Sequence, residues 1–80
     1  MSEVAIKYAQ KSINKFIGYY AEYFGKSIDE ARVEMDQYGA LDYALKWYPL
    51  LGHGKPEQIA RRLNSIVEEN KQRRIAYGMQ

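Results

Sequence analysis

The only histidine of the chain, His53, is the first residue that could do chemistry, because an imidazole titrates near neutral pH and can serve as a base or a metal ligand. It lies between Gly52 and Gly54. A general base needs a nucleophile within reach and a partner that orients it, and no Ser or Asp near His53 forms a recognisable motif with it. We therefore expect His53 to cap a helix end or to donate to a loop carbonyl.

Metal and thiol chemistry have few candidate ligands in this sequence. The chain has no Cys, which excludes disulfides, a thiolate nucleophile and Cys-ligated zinc or iron–sulfur clusters. The acidic residues between positions 29 and 36 lack the spacing of an EF-hand, and hard cations need converging oxygen ligands. We expect these carboxylates to form a solvated acidic helix face, and we expect neither a metal site nor another cofactor.

Phosphate-binding and paired-carboxylate chemistry are also poorly supported. The segment 52–56, GHGKP, lacks the spacing of a P-loop, and Pro56 removes an amide donor that such a loop would need. Paired carboxylates need a cleft between them. A helical domain of 80 residues leaves little room for one. We predict that the chain is not an enzyme.

Two helices are predicted in the first half of the chain. Residues 3–24 carry apolar side chains at intervals of three and four, as on one face of a helix. Gly25 then follows where a helix commonly ends. The second helix starts with a capping box, in which Ser27 and Glu30 bond each other's backbone amides, and Gly39 ends it.

Two more helices are predicted in the second half. Residues 40–48 are almost entirely apolar, and Pro49 disfavours helical geometry at the preceding residue, so we expect this helix to stop near Tyr48. Pro56 suits the first position of a fourth helix. The basic tail from about Lys71 is expected to fray, although Ile75 and Tyr77 could extend the helix.

The sequence therefore predicts an all-α fold, a compact bundle of about four helices, with residues 1–80 forming one domain and the short apolar third helix at the centre of the core. Trp47 is the expected anchor, so that Trp47→Ala would cost about 3–5 kcal/mol. The absence of a long apolar run and of a secretory h-region predicts no membrane partner and a cytoplasmic location. The predicted core consists of Ile13, Phe16, Ile17, Tyr20, Ile28, Met35, Leu41, Leu45, Trp47, Leu51, Ile59, Leu63 and Ile66.

Protein binding is the function that composition favours. Eight of the aromatic residues are Tyr, whose apolar body and polar tip suit a core boundary or an interface. The net charge of +2 names no partner, but acidic residues concentrate in segment 27–42, which would complement a basic partner. A second copy of the chain, in a homodimer, is another candidate partner. The candidate protein-binding residues are Tyr8, Tyr19, Tyr23, Asp29, Glu30 and Glu34.

Nucleic-acid binding is the alternative. Basic residues form stripes on the first and last predicted helices. However, the candidate recognition helix, residues 40–48, carries no Asn, Gln or Arg to contact base edges. The pI of about 8.9 is also just below the value of about 9 that is typical of nucleic-acid-binding domains. The candidate residues are Lys7, Lys11, Lys15, Arg61, Arg62, Arg73 and Arg74.

Segment 16–70 contains a set of residues that together form a recognisable pattern, namely Phe16, Tyr20, Glu22, Ser27 to Glu30, Tyr38, Gly39, Leu41, Asp42, Tyr43, Tyr48, Leu50, Leu51 and His53. With this pattern the segment resembles a small uncharacterised bacterial all-helical family often encoded beside an ADP-ribosyltransferase-like toxin. The chain departs from the pattern where Gly52 and Gly54 flank His53, so no role is carried over to the histidine. The resemblance implies an antitoxin-like, inhibitory or regulatory binding protein, whose partner is a toxin or a regulated enzyme.

Overall fold

The computed structural model describes the backbone of residues 3–78 and the side chains of residues 7–73. Over this range the chain forms four α-helices and no strand: α1 (Glu3–Tyr23), α2 (Ile28–Gln37), α3 (Ala40–Leu51) and α4 (Pro56–Gly78). The prediction of an all-α bundle of about four helices is therefore confirmed. No helix in the described part of the chain is long and apolar enough to cross a membrane.

The junctions around α2 follow the predicted local chemistry. The Ser27 hydroxyl accepts from the Glu30 amide at 3.1 Å, and the Ser27 amide donates to the Glu30 carboxylate at 3.2 Å, which completes the capping box. Gly25 and Gly39 have φ of 62° and 78°, in the left-handed region that glycine adopts without steric cost. Both glycines end helices, as expected.

The prediction that α3 stops near Tyr48 is wrong, because the helix continues through Pro49 to Leu51. Proline near a helix end removes only one backbone donor. The amides that follow are still bonded, since Gly52 donates to the Tyr48 carbonyl at 3.0 Å and His53 to the Leu50 carbonyl at 3.2 Å. Leu51 also packs against the core, which favours the extra turn.

The backbone of α4 is helical to Gly78, so the helix includes Ile75 and Tyr77, the extension that the sequence allowed beside fraying from about Lys71. Tertiary contacts hold the start of this segment to α2. The Asn70 amide donates to the Tyr38 carbonyl, and Lys71 pairs with Glu34 at 3.4 Å. The side chains of Ile75 and Tyr77 lie outside the described residues.

Most of the predicted core is confirmed. Six of its residues are buried, namely Phe16, Ile17, Tyr20, Met35, Ile59 and Leu63. Four others are partly buried and pack against them, namely Ile13, Leu41, Leu51 and Ile66. Three assignments are wrong, because Ile28, Leu45 and Trp47 remain 47%, 51% and 40% exposed.

Alanines, and not Trp47, are the fully buried residues of α3. Ala40 and Ala44 of α3 are completely buried, as are Ala31 of α2 and Ala60 of α4. Small side chains allow helix axes to approach closely, so α3 packs through its alanine face. At about 100° per residue, Leu45 is rotated well away from Ala40 and Ala44, whereas Trp47 follows Ala44 by three residues and lies on their side of the helix, where it remains partly exposed. The large apolar residues of α3 therefore divide between the core and the surface.

Candidate functional site

The half-buried carboxylate of Glu34 on α2 has three partners from other parts of the chain. The Tyr20 hydroxyl donates to Oε1 of Glu34, while Nζ of Lys26 lies 2.8 Å and Nζ of Lys71 3.4 Å from Oε2. The Glu34 side chain is only 18% exposed. We call these four residues the Glu34 cluster. It joins α1, the loop after α1, α2 and α4.

The environment of the Glu34 cluster fixes its protonation states at neutral pH. Burial raises the pKa of the Glu34 carboxyl, but hydrogen bonds from Lys26 and Tyr20 and the charges of both lysines together hold it below its ordinary value. Burial, the hydrogen bond to Glu34 and the nearby carboxylate charges raise the pKa of Tyr20 far above its ordinary value. Slight burial works against the charge of Lys71, but the charges of Glu34 and Glu68 outweigh it and raise the pKa of that ammonium. None of these three shifts is toward pH 7, and the bonds to Glu34 tie together the elements that carry its partners.

Aromatic rings support both lysines of the cluster. The Lys26 ammonium lies 5.9 Å from the centre of the Tyr20 ring, and the Lys71 ammonium 5.4 Å from that of Tyr38. Such cation–π contacts favour the charged form and orient the side chain. The cluster therefore gives the exposed side of α2 a rigid support.

Beside this cluster, an open depression of about 500 Å³ lies along α2. Asp29 and Glu30 are exposed, and hydrogen bonds from the backbone and side chain of Ser27 lower the pKa of Glu30. Val33, which also lines the depression, is 63% exposed. We call this surface the α2 depression; its lining residues are Asp29, Glu30, Val33, Glu34, Gln37, Tyr38 and Lys71.

A smaller recess of about 220 Å³ lies on α1, lined by Tyr8, Lys11, Ser12 and Lys15. Their spacing of three and four places them on one helix face. Tyr8 is 68% exposed, and Lys7 beside it is exposed as well. This α1 recess combines an aromatic ring with ammonium groups, a combination that suits an anionic ligand.

The structure divides the predicted protein-binding residues among separate places. Asp29, Glu30 and Glu34 meet in the α2 depression, although the Glu34 carboxylate is already occupied by Lys26 and Lys71. Tyr8 lies in the α1 recess, and Tyr23 is 48% exposed at the other end of α1, about 22 Å away along the helix. Tyr19 is partly buried against the core.

Three of the four arginines of the nucleic-acid alternative have partners within the chain. Arg61 pairs with Glu57 at 2.8 Å and Arg73 with Glu69 at 2.9 Å, both one helical turn apart. Arg62 donates from Nε to the Tyr43 hydroxyl at 3.1 Å and lies over that ring. The side chain of Arg74 lies outside the described residues. The neighbouring carboxylates reduce the positive potential of α4, so the exposed lysines of α1 are the stronger basic surface.

The sequence analysis missed one surface, which we call the outer α3 face. Leu45 and Leu50 are 51% and 66% exposed there, and the exposed Lys46 lies between them on the same side of the helix. The signal that could have found it is the pair Ala40 and Ala44, whose spacing of four marks the packing side of α3 and leaves Leu45 and Leu50 outside it.

The described residues contain no group of three or more His, Asp or Glu side chains that could hold a metal ion. His53 is exposed in the turn after α3, where its backbone amide donates to the Leu50 carbonyl.

Comparisons of this chain with protein-family models, with curated proteins and with solved structures give no match. The resemblance to the toxin-neighbouring helical family therefore stays a prediction.

Proposed function

We propose that this protein is a non-catalytic protein-binding module that holds its partner in the α2 depression. The supporting observation is the combination of exposed Asp29 and Glu30 with the 63% exposed Val33 in one open surface of about 500 Å³. Protein interfaces typically combine an apolar contact with surrounding polar groups. This combination suits a partner segment that carries Lys or Arg beside an apolar side chain.

The charges around the α2 depression favour a basic partner segment. The carboxylates of Asp29 and Glu30 attract a basic segment, whereas the Lys71 ammonium lies near the carboxylates of Glu34 and Glu68 and repels it less. Complementary charge mainly accelerates and orients association, and it is screened by salt. The apolar contact at Val33 then provides the part of the affinity that salt does not weaken.

An antitoxin-like, inhibitory or regulatory role fits such a surface. An inhibitor needs a rigid face that covers a partner's working surface, and the Glu34 cluster fixes α2 against α1 and α4. The partner in this proposal is a toxin or an enzyme that the protein restrains. We place the complex in the cytoplasm, since a chain without Cys needs no oxidising compartment.

The α1 recess supports the second candidate function, binding of nucleic acid. Tyr8 and the lysines beside it could contact bases and phosphates, and such binding would weaken steeply as salt is raised.

The test is affinity capture from native cell lysate at moderate salt, with and without nuclease, using the wild type and three variants. We expect Val33→Lys to lose a stoichiometric protein partner, because it places an ammonium within the depression. Asp36→Asn makes the same change in net charge on the exposed side of α2 outside the depression, and Leu50→Lys adds a charge on α3; both should retain the partner. Recovery of nucleic acid alone, lost on nuclease treatment, would favour the second candidate. Equal capture by Val33→Lys and Asp36→Asn would contradict the proposed site.

A further inference from the structure

We propose that the edge between α3 and α4 around Trp47 is a second docking surface, which binds an acidic segment of another protein. The surface consists of Tyr43, Lys46, Trp47 and Leu50 of α3 with Arg62 of α4, and we call it the Trp47 face. It is separate from the α2 depression and does not rest on the function proposed for that depression.

The four α3 residues of the Trp47 face lie on one side of the helix. Their spacing of i, i+3, i+4 and i+7 puts them within an arc of about 100°. Leu50 is 66% and Trp47 40% exposed, Lys46 is exposed, and Tyr43 is partly buried. The Nε of Arg62 donates to the Tyr43 hydroxyl at 3.1 Å, which brings α4 to this side of α3. The face therefore combines aromatic, aliphatic and cationic groups from two helices.

The Arg62 guanidinium is held in place and keeps most of its donors. Its Nε bonds the Tyr43 hydroxyl, and its central carbon lies 5.8 Å from the centre of the Tyr43 ring. Arg62 takes part in no ion pair among the described residues. The N–H groups of its two terminal nitrogens are therefore available to a carboxylate, which an arginine can bind through two parallel hydrogen bonds.

Lys46 adds a second positive charge beside an aromatic ring. Its ammonium lies 5.5 Å from the centre of the Trp47 ring. Asp42 precedes Lys46 by one helical turn, but within the described part of the chain neither of them belongs to an ion pair. Both cations of the Trp47 face are thus open to carboxylates of a ligand, and complementary charge favours an acidic one.

The apolar part of the face favours a protein segment over a nucleic acid. Leu50 and the exposed part of Trp47 lose contact with water only if an apolar side chain covers them. Trp, Tyr and Arg are also the residue types that contribute most often to the binding energy of protein interfaces. An amphipathic helix would fit, with an apolar side chain against Leu50 and Trp47 and with Asp or Glu beside Arg62 and Lys46.

Fluorescence of Trp47, the only Trp of the chain, tests the proposal directly, because its emission changes when the ring leaves water. The probe is a synthetic helical peptide of Glu, Ala and Leu, with the Leu residues on one face between Glu residues. A second peptide with Gln in place of Glu is its control. We expect the Glu peptide to change the emission of Trp47 saturably and the Gln peptide to bind more weakly.

Matched variants locate the contact. Arg62→Gln should weaken binding of the Glu peptide by at least about fivefold. Arg61→Gln should not, because Arg61 is the exposed neighbour of Arg62 and already pairs with Glu57 at 2.8 Å. Leu50→Ser should also weaken binding, whereas Leu45→Ser changes a 51% exposed leucine outside the Trp47 face and should have no effect. Circular dichroism checks that each variant is folded.

Several results would overturn the proposal. They are the absence of a saturable change with the Glu peptide, equal binding of the Gln peptide, and equal weakening by Arg62→Gln and Arg61→Gln. Tighter binding of single-stranded oligothymidylate than of the Glu peptide would assign the face to nucleic acid. Emission that shifts with protein concentration alone would assign it to a second copy of the chain. Val33→Lys should leave binding of the Glu peptide unchanged, so this proposal and that for the α2 depression can fail separately.

Discussion

The Tyr20 hydroxyl donates to the Glu34 carboxylate, which joins α1 to α2 across 14 positions of the chain. The Tyr20 ring is completely buried, so its hydroxyl reaches the Glu34 carboxylate from the core side. Lys26 and Lys71 bind the other oxygen of Glu34 at 2.8 and 3.4 Å. The Glu34 carboxylate accepts from all three donors at once. It therefore positions α1, α2 and α4 relative to one another.

Tyr20→Phe should destabilise the fold by about 1–2 kcal/mol, because it removes a hydrogen bond to a charged, half-buried acceptor while keeping the ring in place. Urea denaturation followed by circular dichroism measures the change as a lower midpoint with an unchanged slope. Tyr23→Phe is the control, since Tyr23 is 48% exposed and its hydroxyl should contribute little. Equal midpoints for the two variants would show that the Tyr20 hydroxyl does not contribute to stability.

Acid should weaken the fold through Glu34. Burial alone would raise its pKa in the folded protein, but the bonds from Lys26 and Tyr20 hold that pKa below the ordinary value of 4.5. The contribution of Glu34 is therefore fully present above about pH 4.5 and is lost as the pH falls through the lower pKa of the folded state. Urea midpoints measured between neutral pH and about pH 3 should fall less for Glu34→Gln than for the wild type. Parallel pH profiles would show that Glu34 is not linked to stability.

Two glycines should respond to alanine in opposite ways. Gly18 lies inside α1, and a Cβ built there meets nothing within 4 Å, so Gly18→Ala should stabilise the protein by about 0.5–1 kcal/mol. Gly39 has a φ of 78°, where an L-residue costs about 1–2 kcal/mol, so Gly39→Ala should destabilise it. Melting temperatures should rise for the first variant and fall for the second. Shifts in the same direction would contradict the assigned backbone conformations.

Leu63→Ala should cost more stability than Trp47→Ala, although tryptophan is the larger side chain. Leu63 is completely buried, and emptying such a site costs about 2–5 kcal/mol. Trp47 is 40% exposed, so the cost of about 3–5 kcal/mol that holds for a fully buried ring does not apply to it. Urea denaturation of the two variants at equal, low protein concentration measures the loss of stability in each. A greater loss for Trp47→Ala would restore Trp47 as the anchor of the core.

Local chemistry determined where the helices of this chain begin and end around α2. The capping box at Ser27 and the positive φ of Gly25 and Gly39 depend only on residues a few positions apart, so the sequence was sufficient to predict them. The helical period likewise identified the buried residues of the long helices, such as Phe16 and Leu63. The all-α fold class follows from the same local rules.

Tertiary packing decided the orientation of α3 and the partners of Glu34, which the local sequence pattern left open. Asp42 and Lys46 mark only a narrow polar side of α3, so its sequence left open which of the other residues face the core. Packing buried the alanines Ala40 and Ala44 and left Leu45 and Trp47 partly exposed. Glu34 appears in the sequence as one carboxylate of an acidic helix, and only the approach of Lys71, 37 positions later in the chain, makes it the centre of a cluster. Residues distant in the chain meet only after the helices pack, and the resulting contacts separate the core, the α2 depression and the outer α3 face.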